Sequence, residues 1–223
     1  MTVERPPQPG ARHSEARGHA SQTKLPAAAT SVSAVVLAAG CATRMGRQKL
    51  LLPIDGRPLL RWVTDAAQAS GAREIIVVIG CEAKCTIEAL EGQTVRAVFN
   101  AAYADGLSTS VRAGISAVDP SCDAALFLMG DQPFITAAVI DRFIAAFAEA
   151  ETSVVRAMVG DRPAHPVLMS ADLFPEILQQ EGDVGARAVA ARHAADACLI
   201  QLDERTAMDV DAPVDYDTAR NLA

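Results

Sequence analysis

The chain has 223 residues, 50% of them hydrophobic, and a formal net charge of -7 at pH 7. That length predicts one domain with a sizeable core. The acidic balance excludes a general nucleic-acid binder, whose footprint is a basic stripe, but leaves room for a small anionic ligand held by a few local cations. No apolar run approaches the length of a membrane span.

Residues 1–32 are rich in Pro, Ala, Ser, Gly, Arg and His without apolar periodicity, and read as a disordered tail before a domain over 33–223. The tail has no apolar core of the kind a secretory signal needs. Ala34 to Leu37 then reads as a short buried strand. It breaks into Ala38-Ala39-Gly40, residues too small to hold a ligand off the backbone, followed by Arg44, Gly46 and Lys49. A strand entering a small-residue loop with two cations is a place to hold polyphosphate: backbone N–H groups form an anion nest and the cations neutralise charge. It is not a Walker A loop, and it carries no GxGxxG fingerprint.

Leu50 to Pro53 with Asp55-Gly56 suggests a short extended piece and a turn, and Pro58 suits the first position of a helix ending at Gly71. The β-branched run Ile75–Ile79 marks a strand buried on both faces. A helix over Ala83–Leu90, a strand over Val95–Phe99 and a helix over Ser108–Val118 follow. Then come a strand over Ala124–Met129, a helix over Ala137–Ala150 and a strand over Val154–Val159. Shorter elements finish the chain: Val167–Met169, Leu173–Gln180, Ala186–Ala194, Ala197–Leu202 and Pro213–Leu222. The five cysteines, Cys41, Cys81, Cys85, Cys122 and Cys198, are odd in number and scattered, which does not look like a disulfide framework. Cys81 and Cys85 alone make a poor zinc site, and a reducing cytoplasm fits the set.

Strands alternating with helices predict an α/β fold with a mostly parallel central sheet covered on both faces. Ligands of such sheets bind beyond the carboxyl ends of the strands, and polar residues stand there. Asn100 follows one strand, and Gly130-Asp131-Gln132-Pro133 follows another. Asp131 is placed to hold Mg²⁺, although an Asx turn capping the next helix is an equal reading. Asp209-Val210-Asp211 puts two carboxylates on one side of an extended segment, or caps the helix at Pro213. Ser108, Thr109 and Ser110 at a helix N-terminus favour ribose or phosphate oxygens, or simple capping. Arg162-Pro163-Ala164-His165-Pro166 is rigid, and His165 is a candidate for acceptor contact or proton transfer. Gly182-Asp183-Val184-Gly185-Ala186-Arg187 offers another anion nest with Arg187 as a phosphate partner.

Taken together these strings resemble the nucleotidyltransferases of the molybdenum cofactor, whose signature loop is LAAGxSxRMGxxK. Here it runs from Leu37 to Lys49, with Ala42 replacing the serine and removing a side-chain contact to phosphate. The chain is most similar to the cytidylyltransferases, which carry GDQP, N-x5-G-x3-S, RxxHP, GDxGAR and a closing DxD. Asn100, Gly106 and Ser110 stand at that spacing. Ala39-Gly40, against Gly-Gly in the guanylyltransferases, narrows the space beside the base. The resemblance implies a three-layer Rossmann-like nucleotidyltransferase fold and a reaction. The terminal phosphate of molybdopterin attacks the α-phosphorus of CTP, pyrophosphate leaves, and molybdopterin cytosine dinucleotide forms. It implies Mg²⁺ on Asp131 and Asp211, charge stabilisation by Arg44 and Lys49, and nucleotide contacts from Leu37, Ala38, Ala39, Gly40, Asn100 and Gly130. Ser110, Arg162, His165 and Arg187 would face the pterin, and a molybdenum hydroxylase or its maturation chaperone would be the downstream partner. Three readings compete: a guanylyl- or other nucleotidyltransferase on a different phosphorylated acceptor, a cofactor-delivery chaperone, and an oxidoreductase on a small heterocycle.

Overall fold

The structure is a computed structural model that describes residues 30–42, 45–46, 48–183 and 185–223. In chain order it forms β1 (Val32–Ala38), β2 (Pro53–Ile54), β3 (Arg57–Pro58), α1 (Leu59–Gln68), β4 (Glu74–Ile79), α2 (Ala83–Ala89) and β5 (Arg96–Phe99). Next come α3 (Leu107–Ala117), β6 (Ala124–Met129), α4 (Ala137–Glu149), β7 (Val154–Val159) and β8 (Arg162–Ser170). The chain ends with α5 (Phe174–Leu178), α6 (Ala186–Arg192), β9 (Cys198–Gln201) and α7 (Pro213–Leu222).

The main sheet has seven strands in the order β5-β4-β1-β6-β8-β7-β9. Among the described residues only β8 runs against its neighbours, pairing antiparallel with β6 and β7. The remaining pairs are parallel, which bears out the expected class. All seven residues of β1 are buried because both faces of the sheet are covered. Side chains of β1 and β6 alternate between two cores. Val36, Leu126 and Leu128 meet Leu60 and Val63 of α1 and Phe143 of α4 on one face. Val35, Leu37 and Phe127 meet Val111 of α3, Ile177 of α5 and Val189 of α6 on the other. Burying one such side chain contributes roughly 1.5–3 kcal/mol. Among the described residues no helix is long and apolar enough to cross a membrane.

Several boundaries differ from the sequence expectation for local reasons. β1 starts at Val32, inside the expected tail, and Ser31 N donates to Asp123 Oδ2 at 2.8 Å. Pro58 ends β3 and precedes α1 instead of opening it. β2 and β3 form a hairpin across Asp55 and Gly56, both with positive φ, the backbone a tight hairpin turn needs. The largest difference is β8. Its first half, Arg162 to Pro166, reads in sequence as a rigid segment ahead of a strand over Val167–Met169, but it pairs with β7 through Arg162–Ala164. Ala157 pairs with Ala164 while Arg156 pairs with Val167, so His165 and Pro166 have no partner on β7. Such a bulge re-aims a side chain at a sheet's rim.

The chain order places the ligand crevice. β4 and β5 lie on one side of β1, and the chain then returns to add β6 on the other. Loops leaving the carboxyl ends of β1 and β6 therefore diverge, and the space between them is where open α/β sheets bind ligands.

Candidate active site

A cleft of about 810 Å³ opens at that point, within the range of about 300–1,000 Å³ usual for ligand sites. Leu37, Ala38, Ala39 and Gly40 form one wall, and an added Cβ at Gly40 would meet no protein atom within 4 Å. Tyr103 to Leu107 and Ser110 line the cleft too. Lys49, Asp131, Asp183 and Asp211 also line it. Gly130 lines neither this cleft nor the smaller cavity beside it. Its N–H donates to the Leu37 carbonyl at 3.0 Å, and a Cβ there would lie 3.1 Å from that oxygen. The close backbone approach it permits is to β1, and it anchors Asp131 beside the loop.

Lys49 is the electrostatic centre. Its Nζ donates to Asp131 Oδ2 at 2.5 Å and to Asp211 Oδ1 at 2.6 Å. Burial opposes its charge, but the attraction and hydrogen bonds of Asp131 and Asp211 outweigh that and hold its pKa above the ordinary value. Among the described residues Asp131 Oδ1 is buried with no hydrogen-bond partner, so one hard oxygen is left for a cation. With Asp211 it makes the kind of donor pair Mg²⁺ or Mn²⁺ takes alongside water and phosphate oxygens. Among the described residues no cluster of three or more such ligands forms, so a cation here would draw its remaining ligands from solvent and substrate.

A second cavity of about 200 Å³ shares Leu107, Met129, Asp131 and Asp211 with the first. Arg162, His165 and Arg187 line it, as do Gln132 and Asp209. Arg162 is exposed and pairs with Glu204 at 3.0 Å. His165 is buried; desolvation, then the Arg187 charge, pull its pKa down to about 3, so the imidazole is neutral. Asp209 accepts from Gln132 Nε2 at 2.9 Å, and burial followed by the Asp131 charge pushes its pKa up to about 6. Val210, between the two aspartates, is fully buried, and its N–H donates to the Asp131 carbonyl at 3.0 Å. The alternation read in sequence thus places both carboxylates beside Asp131.

The contacts place three of the expected groups as follows. Asn100 is not part of either cavity wall. Its amide donates to Thr109 Oγ1 at 2.8 Å and Ser110 Oγ at 3.0 Å, and its oxygen accepts from Ala102 N at 3.0 Å. It braces the wall from behind, because the loop after β5 must fold back over α3. Ser110 lines the larger cleft and not the smaller cavity. The N-terminus of α3 is already engaged by Gly182 and Asp183: Leu107 N donates to Asp183 Oδ1 at 3.3 Å and Ser108 N to the Gly182 carbonyl at 3.2 Å. Gly106, at φ 112, is packed so closely there that a Cβ would lie 2.4 Å from the Gly182 oxygen. Arg44 lies outside the described residues.

Sequence reasoning missed Gln48, Tyr103, Asp183 and the Gln132–Asp209 bond. Gln48 is buried and donates to the carbonyls of Gly40 at 3.1 Å and Cys81 at 3.3 Å, so it pins the loop beside Lys49. An amide flanked by Lys49 and an apolar run was the available signal. The cysteine expectation also fails, since Cys41 and Cys81 form a disulfide. Adjacent parallel strands explain it: Ala38 of β1 sits opposite Ile79 of β4, so the residues just beyond both strands meet.

Comparisons with known proteins agree with this geometry. Residues 34–197 match the model of the MobA-like NTP transferase domain. The nicotine blue oxidoreductase of Paenarthrobacter nicotinovorans is 29% identical over 188 residues, 81% of this chain and 92% of that protein. The molybdenum cofactor cytidylyltransferase of Escherichia coli K12 is 26% identical over 193 residues, 86% and 96%. The crystal structure of Rv0371c from Mycobacterium tuberculosis H37Rv superposes with a TM-score of 0.77 at 26% identity, covering 87% of this chain and 100% of that one. A second structure of that protein, described as a complex with manganese, gives 0.72 at 27% with the same coverage. A nucleotidyltransferase fold with a matching family model over most of its length leaves one assignment: the chain belongs to the MobA-like NTP transferase family.

Proposed function

We propose that this nucleotidyltransferase is a divalent-metal-dependent cytidylyltransferase that moves CMP from CTP to the terminal phosphate of molybdopterin in the cytoplasm. One observation carries the reading: Asp131 and Asp211, bridged by Lys49, form the wall shared by a nucleotide-sized cleft and a smaller cavity edged by arginines. A donor in the first and a phosphorylated acceptor in the second would meet at those carboxylates.

The small residues Ala38 to Gly40 let a polyphosphate approach the backbone. Lys49 neutralises charge on the α- and β-phosphates. Arg162 and Arg187 hold the acceptor phosphate, and neutral His165 offers it a hydrogen-bond site without adding charge. An acceptor oxygen attacks the α-phosphorus, the bond to the β-phosphate oxygen breaks, and pyrophosphate leaves with the electron pair. The attacking oxygen is already anionic, so positioning and electrostatics supply the catalysis. A divalent ion on Asp131 and Asp211, when bound, neutralises phosphate charge. Ala39 beside the base supports a pyrimidine.

Pyrophosphate release from CTP, GTP and ATP with Mg²⁺ or Mn²⁺, with and without molybdenum-loaded molybdopterin, tests this. Release with CTP and the pterin alone is expected. Release with GTP would retain the mechanism and replace the base. Tight pterin binding without release would favour a delivery role. The relative named for nicotine blue raises an oxidoreductase alternative; reduction of a heterocyclic dye without pyrophosphate release would establish it.

A further inference from the structure

Cys41 stands between Gly40 and Ala42, which both line the larger cleft, yet does not line it itself. Its sulfur is bonded to Cys81, just past β4. Around this bond the loop is clamped by Cys81 N–H donating to the Ala39 carbonyl at 3.0 Å and by the Gln48 amide bridging Gly40 and Cys81. Ala42 sits at φ 48, a left-handed conformation that a residue with a Cβ keeps only when its surroundings impose it. The disulfide is the covalent member of that clamp, and Cys41 is a solvent-exposed residue.

We propose that Cys41 and Cys81 are a reversible redox modification site: oxidised, the pair sets the loop for nucleotide; reduced, it releases the loop. In the cytoplasm proposed above, a disulfide is usually a transient, catalytic or sensing bond, and this one adjoins the binding wall. A dithiol reductant supplies the chemistry. Its thiolate attacks one sulfur, the bond between Cys41 and Cys81 breaks, and one cysteine leaves as a thiolate that takes up a proton. The second reductant thiol then frees the other cysteine, leaving the reductant as a cyclic disulfide. Two electrons and two protons pass to the protein. Cys85, Cys122 and Cys198 remain free thiols throughout.

The nucleotide readout rests on the proposed function; the loop readout does not. Under denaturing conditions the oxidised full-length protein should titrate three thiols and the dithiothreitol-reduced protein all five cysteines. Reduction should raise the KM for the nucleotide about tenfold, the cost of re-ordering roughly one backbone residue on binding, with kcat nearly unchanged. Reoxidation should restore it. Cys41→Ser and Cys81→Ser should behave as the reduced enzyme and ignore dithiothreitol, whereas Cys85→Ser should respond like the parent. Hydrogen exchange across residues 36–50 should quicken on reduction. Five thiols in the oxidised protein, or identical KM and exchange in both states, would overturn the proposal. If neither form turns over nucleotide, the functional reading fails on its own, and exchange across 36–50 decides this one.

Discussion

The Lys49 ammonium lies 2.5 Å from Asp131 Oδ2 while both side chains are largely out of water, 14% and 11% exposed. A cation and an acid this close, in a low-dielectric floor, form a charge cluster aimed at whatever enters the cleft. Replacing Lys49 by Ala leaves three carboxylates, Asp131, Asp209 and Asp211, without it. Turnover should fall at least about 100-fold, the scale of losing one preorganised charge-stabilising group. Stability should fall by up to about 3–5 kcal/mol, the scale of stripping one partner from a buried ion pair, part of it recovered by Mg²⁺ or Mn²⁺. Steady-state kinetics and melting curves with and without the metal measure both; an active Lys49→Ala enzyme removes the assignment.

The two metal candidates should not be equivalent. The Asp131 side chain is 11% exposed and fixed beside β1, whereas that of Asp211 is 50% exposed. Asp131→Asn should therefore lose activity by about 100-fold or more, and Asp211→Asn by less, with a raised metal requirement. Activity titrated against Mn²⁺ for each variant tests the order.

Acid stability should carry the signature of His165. Its folded pKa is about 3 against an ordinary 6.5, so the unfolded chain binds the extra proton. The stability it contributes is whole above pH 6.5 and drains as pH falls towards 3, by about 2 kcal/mol between pH 6.5 and 5. Asp209 acts oppositely: raised from 3.8 to about 6, it makes folding less favourable as pH rises through that window. His165→Gln should flatten or invert the slope of urea-derived stability between pH 4 and 6, and Asp209→Asn should steepen it. Unchanged slopes in both variants would contradict the burial of these groups.

Gly106→Ala meets two penalties at once, a positive φ and the Gly182 carbonyl. A loss of about 2 kcal/mol or more is expected. The Leu107 and Ser108 amides should lose protection as the Gly182–Asp183 latch lifts, which hydrogen exchange reads directly.

Much of this protein is written locally. The apolar runs of β6 and β7 and the proline-started α7 coincide with the elements read from sequence, because each is bounded by turn residues and its periodicity depends on neighbours along the chain. A chemical type at a strand's carboxyl end predicts a position at that edge of the sheet, and Leu37 to Gly40, Lys49, Asp131 and Asp211 do line the cleft there. What only the tertiary structure decided depends on strands meeting out of sequence. β8 enters between β6 and β7, and that pairing turns a proline-rich stretch into a strand whose bulge directs His165. The β1–β4 register brings Cys41 to Cys81, forty positions apart in the chain. Asn100 turns inward to brace α3, and Asp183 accepts from the backbone at the helix terminus where Ser108–Ser110 stand. Hydrogen-bond partners between distant segments are chosen by which backbones the sheet brings within reach, and no local pattern encodes that choice.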